Sequence, residues 1–333
     1  VPFLKKMYPK AAVLHQEVGM ISRNPYPTTY FLDPFGTFSN GFLGRFKSEL
    51  KNLKMNPKKN AFLNEFRTIF ISEGIKKNQM FSKHDLDSNN KFKYLILLPL
   101  QIDPYFSFNS YVKFEDQFDF ICYVMDRIDR NIGVVITTHT DWANHLDPRG
   151  LIDYVKRTYP NAIFNDSFRK VPYCSQYLLD LVDGIISVSS TIALQALLFK
   201  KPIFVVGENS QLKTISASNK IEDIGDILTQ KDVVDFDAIL YHLLTHYYFL
   251  NEPYIMNGKW LYNFFSNTIK KNKNGLSFKF YEKIDTDETL LKHYRELKQN
   301  PIKKEQSEKI KPSIYNTFIN KIKIYIKNNI KNY

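Results

Sequence analysis

The sequence predicts an α/β protein whose centre is a doubly wound parallel sheet. Between residues 93 and 207, short apolar runs rich in β-branched residues alternate with stretches of helical length, the order of successive βα units. The runs lack apolar–polar alternation, as expected of strands covered on both faces. Polar residues follow several of the runs, at the strand ends where such sheets bind ligands. Strands are expected at Tyr94–Leu98, Gly133–Thr137, Ala162–Phe164, Gly184–Val188 and Pro202–Val206. Helices are expected from about Phe114 to Arg130, and over Pro148–Thr158, Val171–Leu181 and Thr191–Phe199.

The flanks read differently. Residues 1–92 are irregular and basic, with an apolar run at Ala11–Leu14 and a helix expected around Asn60–Glu73, before a polar linker over Lys76–Lys93. Beyond Gly207 the pattern is helical: Asp232–Leu250 reads as one helix and Glu288–Lys298 as another. His242 and His246 lie four apart, hence on one helix face, and without a third ligand they read as packed side chains. In Pro312–Tyr333, Ile314, Phe318, Ile322, Ile326 and Ile330 form an i, i+4 stripe beside several lysines. Such a basic amphipathic helix fits a peripheral membrane surface or a stripe packed on its own protein. The organisation expected is an N-terminal domain over 1–92, a ligand-binding domain over 93–250 and a helical region over 251–333.

Composition bounds the function. The chain has 333 residues, 44% hydrophobic and 24% charged, with a net charge of +12, which suits a globular protein with an anionic partner. The charge is unevenly spread. Residues 93–207 are nearly neutral, so the basic excess flanks the core. This favours an anionic membrane or lipid-linked partner over nucleic acid, for which no motif is present. Two separated cysteines, Cys122 and Cys174, speak against a zinc site or a disulfide scaffold. No apolar run is long enough to span a membrane and no signal peptide is visible, so a cytoplasmic, peripherally attached protein is expected. No G-x-G-x-x-G follows the first strand, and neither a Walker loop nor a G-x-S-x-G elbow occurs.

The strand ends supply the candidate site. Gln101 follows the first strand, His139 the second, Ser189, Ser190 and Thr191 the fourth, and Glu208 the fifth. Hydroxyls at the start of a helix can cap it or, with a nearby imidazole, hold a phosphate.

The stretch ILLPLQID…VVITTHTD…LVDGIISVSSTIALQALLFKKPIFVVG, over residues 93–210, resembles the bacterial capsule polysaccharide biosynthesis proteins. That group includes 3-deoxy-manno-octulosonate (Kdo) transferases. Its most telling part is the block from Asp183 to Ile203, which recurs in sugar transferases of the two-Rossmann, GT-B fold. The resemblance implies a GT-B-like donor domain, a smaller or truncated Rossmann-like acceptor domain before it, and C-terminal helices. By it, Gln101 closes the first donor strand, His139 matches the histidine of a His-Pro motif, and Ser189 and Ser190 bind the donor phosphate. Thr140 stands where the family usually has Pro. A weaker resemblance covers AVLHQEVGMISRNPYPTTYFLDPFG, where Glu17 and Gly19 occupy a Glu-x-Gly position closing an acceptor-side strand, and an Arg or Pro follows. Glu17 is the candidate base on an acceptor hydroxyl, and Asp33, in its Asp-Pro-Phe-Gly turn, is the reserve.

The expectation is an inverting, metal-independent glycosyltransferase with no cofactor. It would move a sugar from a nucleotide sugar, CMP-Kdo or another, to a glycan or lipid-linked acceptor in capsule or lipopolysaccharide synthesis. A nucleotide-sugar epimerase or hydrolase, and a non-catalytic membrane- or nucleic-acid-binding protein, are the alternative readings.

Overall fold

The protein was analysed as a computed structural model, which describes residues 6–8, 11–23, 26–37, 39–101, 114–138, 149–230, 235–273 and 276–296. The described residues belong to one compact unit, residues 1–299. The expected basic helix at Pro312–Tyr333 lies outside the described residues.

Eight strands are described: β1 His15–Val18, β2 Thr29–Asp33, β3 Tyr94–Pro99, β4 Ile132–Thr137, β5 Ala162–Ile163, β6 Gly184–Ser187, β7 Ile203–Val205 and β8 Phe249–Leu250. Five of them form a parallel sheet in the order β5-β4-β3-β6-β7. The chain runs outward from β3 to β5, then crosses back to β6 on the other side of β3. The switch point of this doubly wound sheet therefore lies between β3 and β6. All five expected strands are present, with no end moved by more than one residue.

Asp183 fixes the register there. Its carboxylate accepts the Leu95 N–H at 2.8 Å, and its own N–H donates to the Leu95 carbonyl at 2.7 Å. Gly184 follows because a Cβ at that position would meet the Pro202 carbonyl oxygen at 3.1 Å and Ile96 Cδ1 at 3.0 Å. One face of the sheet packs Ile96, Leu98, Val134, Ile136 and Phe204 against Phe120, Ile121 and Val124 of the helix Gln117–Met125. Asp116 caps that helix by accepting the Asp119 N–H at 2.8 Å.

The remaining strands form an antiparallel sheet in the order β1-β2-β8. Its third strand, β8, follows the whole parallel sheet in sequence, so the antiparallel sheet joins residues far apart along the chain. The stretch expected as a single helix over Asp232–Leu250 is instead a helix at Asp237–His242, a π-helical turn at Leu243–Tyr247, and β8. His242 and His246 stack there with ring centroids 4.3 Å apart, among Phe42 and Phe278. They are packed side chains on one face of the segment.

The expected helix near Asn60–Glu73 spans Pro57–Arg67 and continues as a π-helical segment, Thr68–Ile75. Asn56 caps it and Pro57 occupies its first turn, where a missing N–H costs nothing. Arg67 is 9% exposed. It donates to the Leu198 carbonyl at 3.1 Å, the Leu197 carbonyl at 3.3 Å and both carboxylate oxygens of Asp237, at 2.9 Å for Oδ2. The linker expected over Lys76–Lys93 holds a short helix, Lys83–Leu86, whose Ser82 and Asp85 form a capping box.

Candidate functional site

The carboxyl ends of β3 and β6 bring Gln101 and Ser189 together. The backbone of Gln101 is held in place because its N–H donates to the buried Gln117 Oε1 at 3.1 Å, and Leu100 N–H to the Thr137 carbonyl at 2.8 Å. The Gln101 amide then meets the Ser189 hydroxyl, with Nε2 at 3.1 Å and Oε1 at 3.2 Å. The amide either donates to that hydroxyl or accepts from it. Ser190 follows, its N–H donating to Ser187 Oγ at 3.0 Å.

Thr191 precedes the five-residue helix Ile192–Ala196, and its side chain makes no capping bond. Its hydroxyl accepts instead from Arg23 Nη1 at 3.3 Å. The guanidinium also lies over the Tyr173 ring, 5.8 Å from its centroid. Tyr173 adopts a left-handed backbone, φ 58°, which costs a non-glycine residue about 1 kcal/mol or more. Two residues on, Ser175 Oγ lies 2.8 Å from Thr137 Oγ1 at the end of β4. Four polar side chains, Gln101, Ser189, Thr191 and Arg23, thus line a path from the end of β3 past the end of β6.

Arg23 was not among the residues singled out from sequence, and neither was Tyr173. The only sequence hint of Arg23 is its position just after the Glu-x-Gly stretch. The structure explains that stretch sterically. A Cβ on Gly19 would lie 2.3 Å from Thr29 Oγ1, so only glycine lets the turn after β1 close onto β2. The Gly19 N–H donates to the Thr29 carbonyl at 2.8 Å, and Met20 and Ile21 are fully buried.

The other candidates fall elsewhere. Glu17 sits on β1, the edge strand of the antiparallel sheet, and as a residue is exposed. The protein around its carboxylate nonetheless excludes enough water to raise its pKa, against a lowering hydrogen bond from the Val18 backbone. Asp33 is fully buried. Its carboxylate accepts the N–H groups of Phe35 and Phe42 and the Tyr247 hydroxyl, each at 2.8 Å. Burial raises its pKa, and these bonds oppose the rise. Asp33 therefore closes its turn and anchors the helix Phe42–Arg45. Glu208 is exposed in the turn after β7. Just before it, a Cβ on Gly207 would meet the Val188 carbonyl oxygen at 2.8 Å. His139 lies outside the described residues, and β4 ends two positions before it, at Thr137. Among the described residues no group of three or more His, Cys, Asp and Glu could hold a metal ion, and no helix is long and apolar enough to cross a membrane.

No family profile matches the chain, and no curated protein sequence does. Similarity is found to two solved chains of Thermosulfurimonas dismutans KpsC. One is described as a beta Kdo 2,7 transferase, with 13% identity and a TM-score of 0.48, over 72% of this chain and 71% of that one. The other is described as a beta Kdo 2,4 transferase, with 11% identity and a TM-score of 0.41, over 71% and 73% respectively. Both matched chains are Kdo transferases.

Proposed function

We propose that the crevice between the ends of β3 and β6 receives the nucleotide of an activated sugar, and that the protein is a glycosyltransferase of capsule or other surface polysaccharide synthesis. The pairing of Gln101 with Ser189 across the switch point carries this reading. Doubly wound sheets bind their ligands at this point, and hydroxyls and an amide supply the donors that phosphate and ribose oxygens need. The donor is CMP-Kdo or another nucleotide sugar, and the acceptor a glycan or lipid-linked glycan. The Ser189 and Ser190 hydroxyls bind the donor phosphate, and His139 meets the charge that develops on the departing nucleotide without a metal.

Glu17 is the proposed base on the acceptor hydroxyl. A carboxyl raised toward neutrality is better matched to that task than an ordinary one. A single displacement with this base inverts the anomeric carbon. Proton NMR of the product anomer checks it, and retained configuration would refute the single displacement.

The experiment for the function itself is turnover of CMP-Kdo, UDP-sugars and GDP-sugars with and without a glycan acceptor. Acceptor-dependent product supports transfer, and donor breakdown without acceptor would make the protein a hydrolase. His139→Ala is expected to lose roughly 10²–10³ in rate, the usual cost of one aimed donor, with an unchanged melting temperature. Near-normal turnover in that variant would remove His139 from the site.

A further inference from the structure

We propose that Arg23 is the cation that holds the phosphate of the bound nucleotide, so that the N-terminal segment completes the binding crevice of the parallel sheet. The inference rests on the nucleotide reading of that crevice and adds to it a residue from outside the sheet.

Arg23 is half-buried, and among the described residues it forms no ion pair with a carboxylate. Its polar contact there is the Thr191 hydroxyl, and the ring of Tyr173 lies beneath it. Buried arginines are ordinarily matched by carboxylates or by several carbonyls. Arg67 of this same chain shows the usual solution, with Asp237 and two carbonyls around one guanidinium. Among the described residues Arg23 has a single neutral hydroxyl, and water withdrawal lowers its pKa against the electrostatic pull of Tyr173. A guanidinium has five N–H donors, so most of its capacity is unmatched among the described residues. A phosphate oxygen pair is a group such a fork fits well.

The guanidinium is also held in place from its backbone. The Arg23 carbonyl accepts the Tyr26 N–H at 3.0 Å, and the Tyr26 ring stacks on Phe70 at 4.3 Å between centroids. Upstream, the Met20 carbonyl accepts Gln195 Nε2 at 2.7 Å, and Thr29 Oγ1 donates to the Ile21 carbonyl at 2.6 Å. The turn carrying Arg23 is therefore tied to β2, to the π-helical segment and to the helix that follows Ser189–Thr191. A cation fixed in this way meets an anion with little ordering cost.

The test is titration calorimetry of the full chain, wild type and Arg23→Met, with CMP, UMP and GMP and with cytidine, uridine and guanosine. The nucleosides carry the base and ribose but no phosphate. Arg23→Met is expected to weaken the nucleotide that wild type binds by about tenfold or more, the worth of a charged hydrogen bond, and to leave its nucleoside unchanged. Equal nucleotide affinity in the two proteins overturns the inference while the crevice reading stands. An equal loss for nucleotide and nucleoside also overturns it, making Arg23 a structural brace. A wild type that binds no nucleotide overturns the crevice reading and this inference together. If Arg23→Met does not fold, Arg23→Lys decides. It keeps the charge but loses the fork, so a smaller, phosphate-dependent loss is expected, and no loss overturns the proposal.

Discussion

Replacing Arg67 by Met should destabilise the protein by about 3 kcal/mol. The methionine fills much of the same volume but removes every donor. Asp237 then keeps only Lys200, 3.6 Å away and largely exposed, and the Leu197 and Leu198 carbonyls lose the guanidinium. Burial alone would raise the Asp237 carboxyl, yet the Arg67 hydrogen bond and charge hold it below its ordinary value, so the pair is a net gain for the charged form. Removing one member of a buried pair costs about 3–5 kcal/mol. With 13% of the Asp237 side chain still accessible, the lower end applies. Urea unfolding followed by fluorescence measures the loss, and Arg67→Met/Asp237→Leu should recover about half of it, because no uncompensated charge remains. A single variant within about 1 kcal/mol of wild type, or a strictly additive double variant, would refute the reasoning.

Two further predictions concern the antiparallel sheet and its neighbours. A Cβ on Gly74 would lie 1.7 Å from the Tyr26 hydroxyl oxygen, so Gly74→Ala should cost about 1–3 kcal/mol in the same assay and displace the turn that carries Arg23. The stacked His242 and His246 are pushed down to about 3 and about 4, first by burial, with Lys59 and Lys283 adding to it and Asp287 opposing at His246. The unfolded chain thus takes up these protons first. Their contribution is complete above about pH 6.5 and is lost as pH falls toward the folded values, by up to about 1.4 kcal/mol per pH unit for each ring. His242→Phe, which keeps the stack on Phe42 and Phe278, should flatten part of that slope between pH 6.5 and 4.5, and an unchanged slope would exclude the pair as its source.

The parallel sheet was legible because its strands are short, continuous apolar runs separated by helices, a pattern that local sequence carries by itself. β8 was not. Phe249 and Leu250 become a strand through pairing with Thr29 and Tyr30, and two residues have no periodicity to read. The helix expected to run through them is interrupted by the π-helical turn at Leu243–Tyr247, whose apolar residues satisfy either reading. At the site, Gln101 and Ser189 followed from the rule that ligands gather at strand ends. Arg23 could not, since its contact with Thr191 spans 168 positions. Asp33, the reserve candidate, shows what sequence leaves out. A turn aspartate near a supposed cleft looks available in sequence, whereas the fold spends its carboxylate on two backbone N–H groups and a tyrosine.

Several contacts of the N-terminal segment fall on one short stretch of the sheet domain. Arg23 meets Thr191 at its start, the Met20 carbonyl meets Gln195 in its middle, and Arg67 meets the Leu197 and Leu198 carbonyls at its end. The segment Thr191–Phe199 is thus held along its whole length by residues from the basic third of the chain. Functional groups need neighbours that lock them to within fractions of an ångström, and Ser189 and Ser190 sit at the head of this clamped stretch. With the proposed ligand at Ser189 and Ser190, stability and ligand binding are coupled through one element. Loosening its far end with Arg67→Met should weaken nucleotide binding without touching a binding residue, whereas Gly74→Ala should do so by moving Arg23 itself. It follows that some of the basic excess of residues 1–92 serves an internal purpose, since at least two of its arginines, Arg23 and Arg67, bond to the sheet domain.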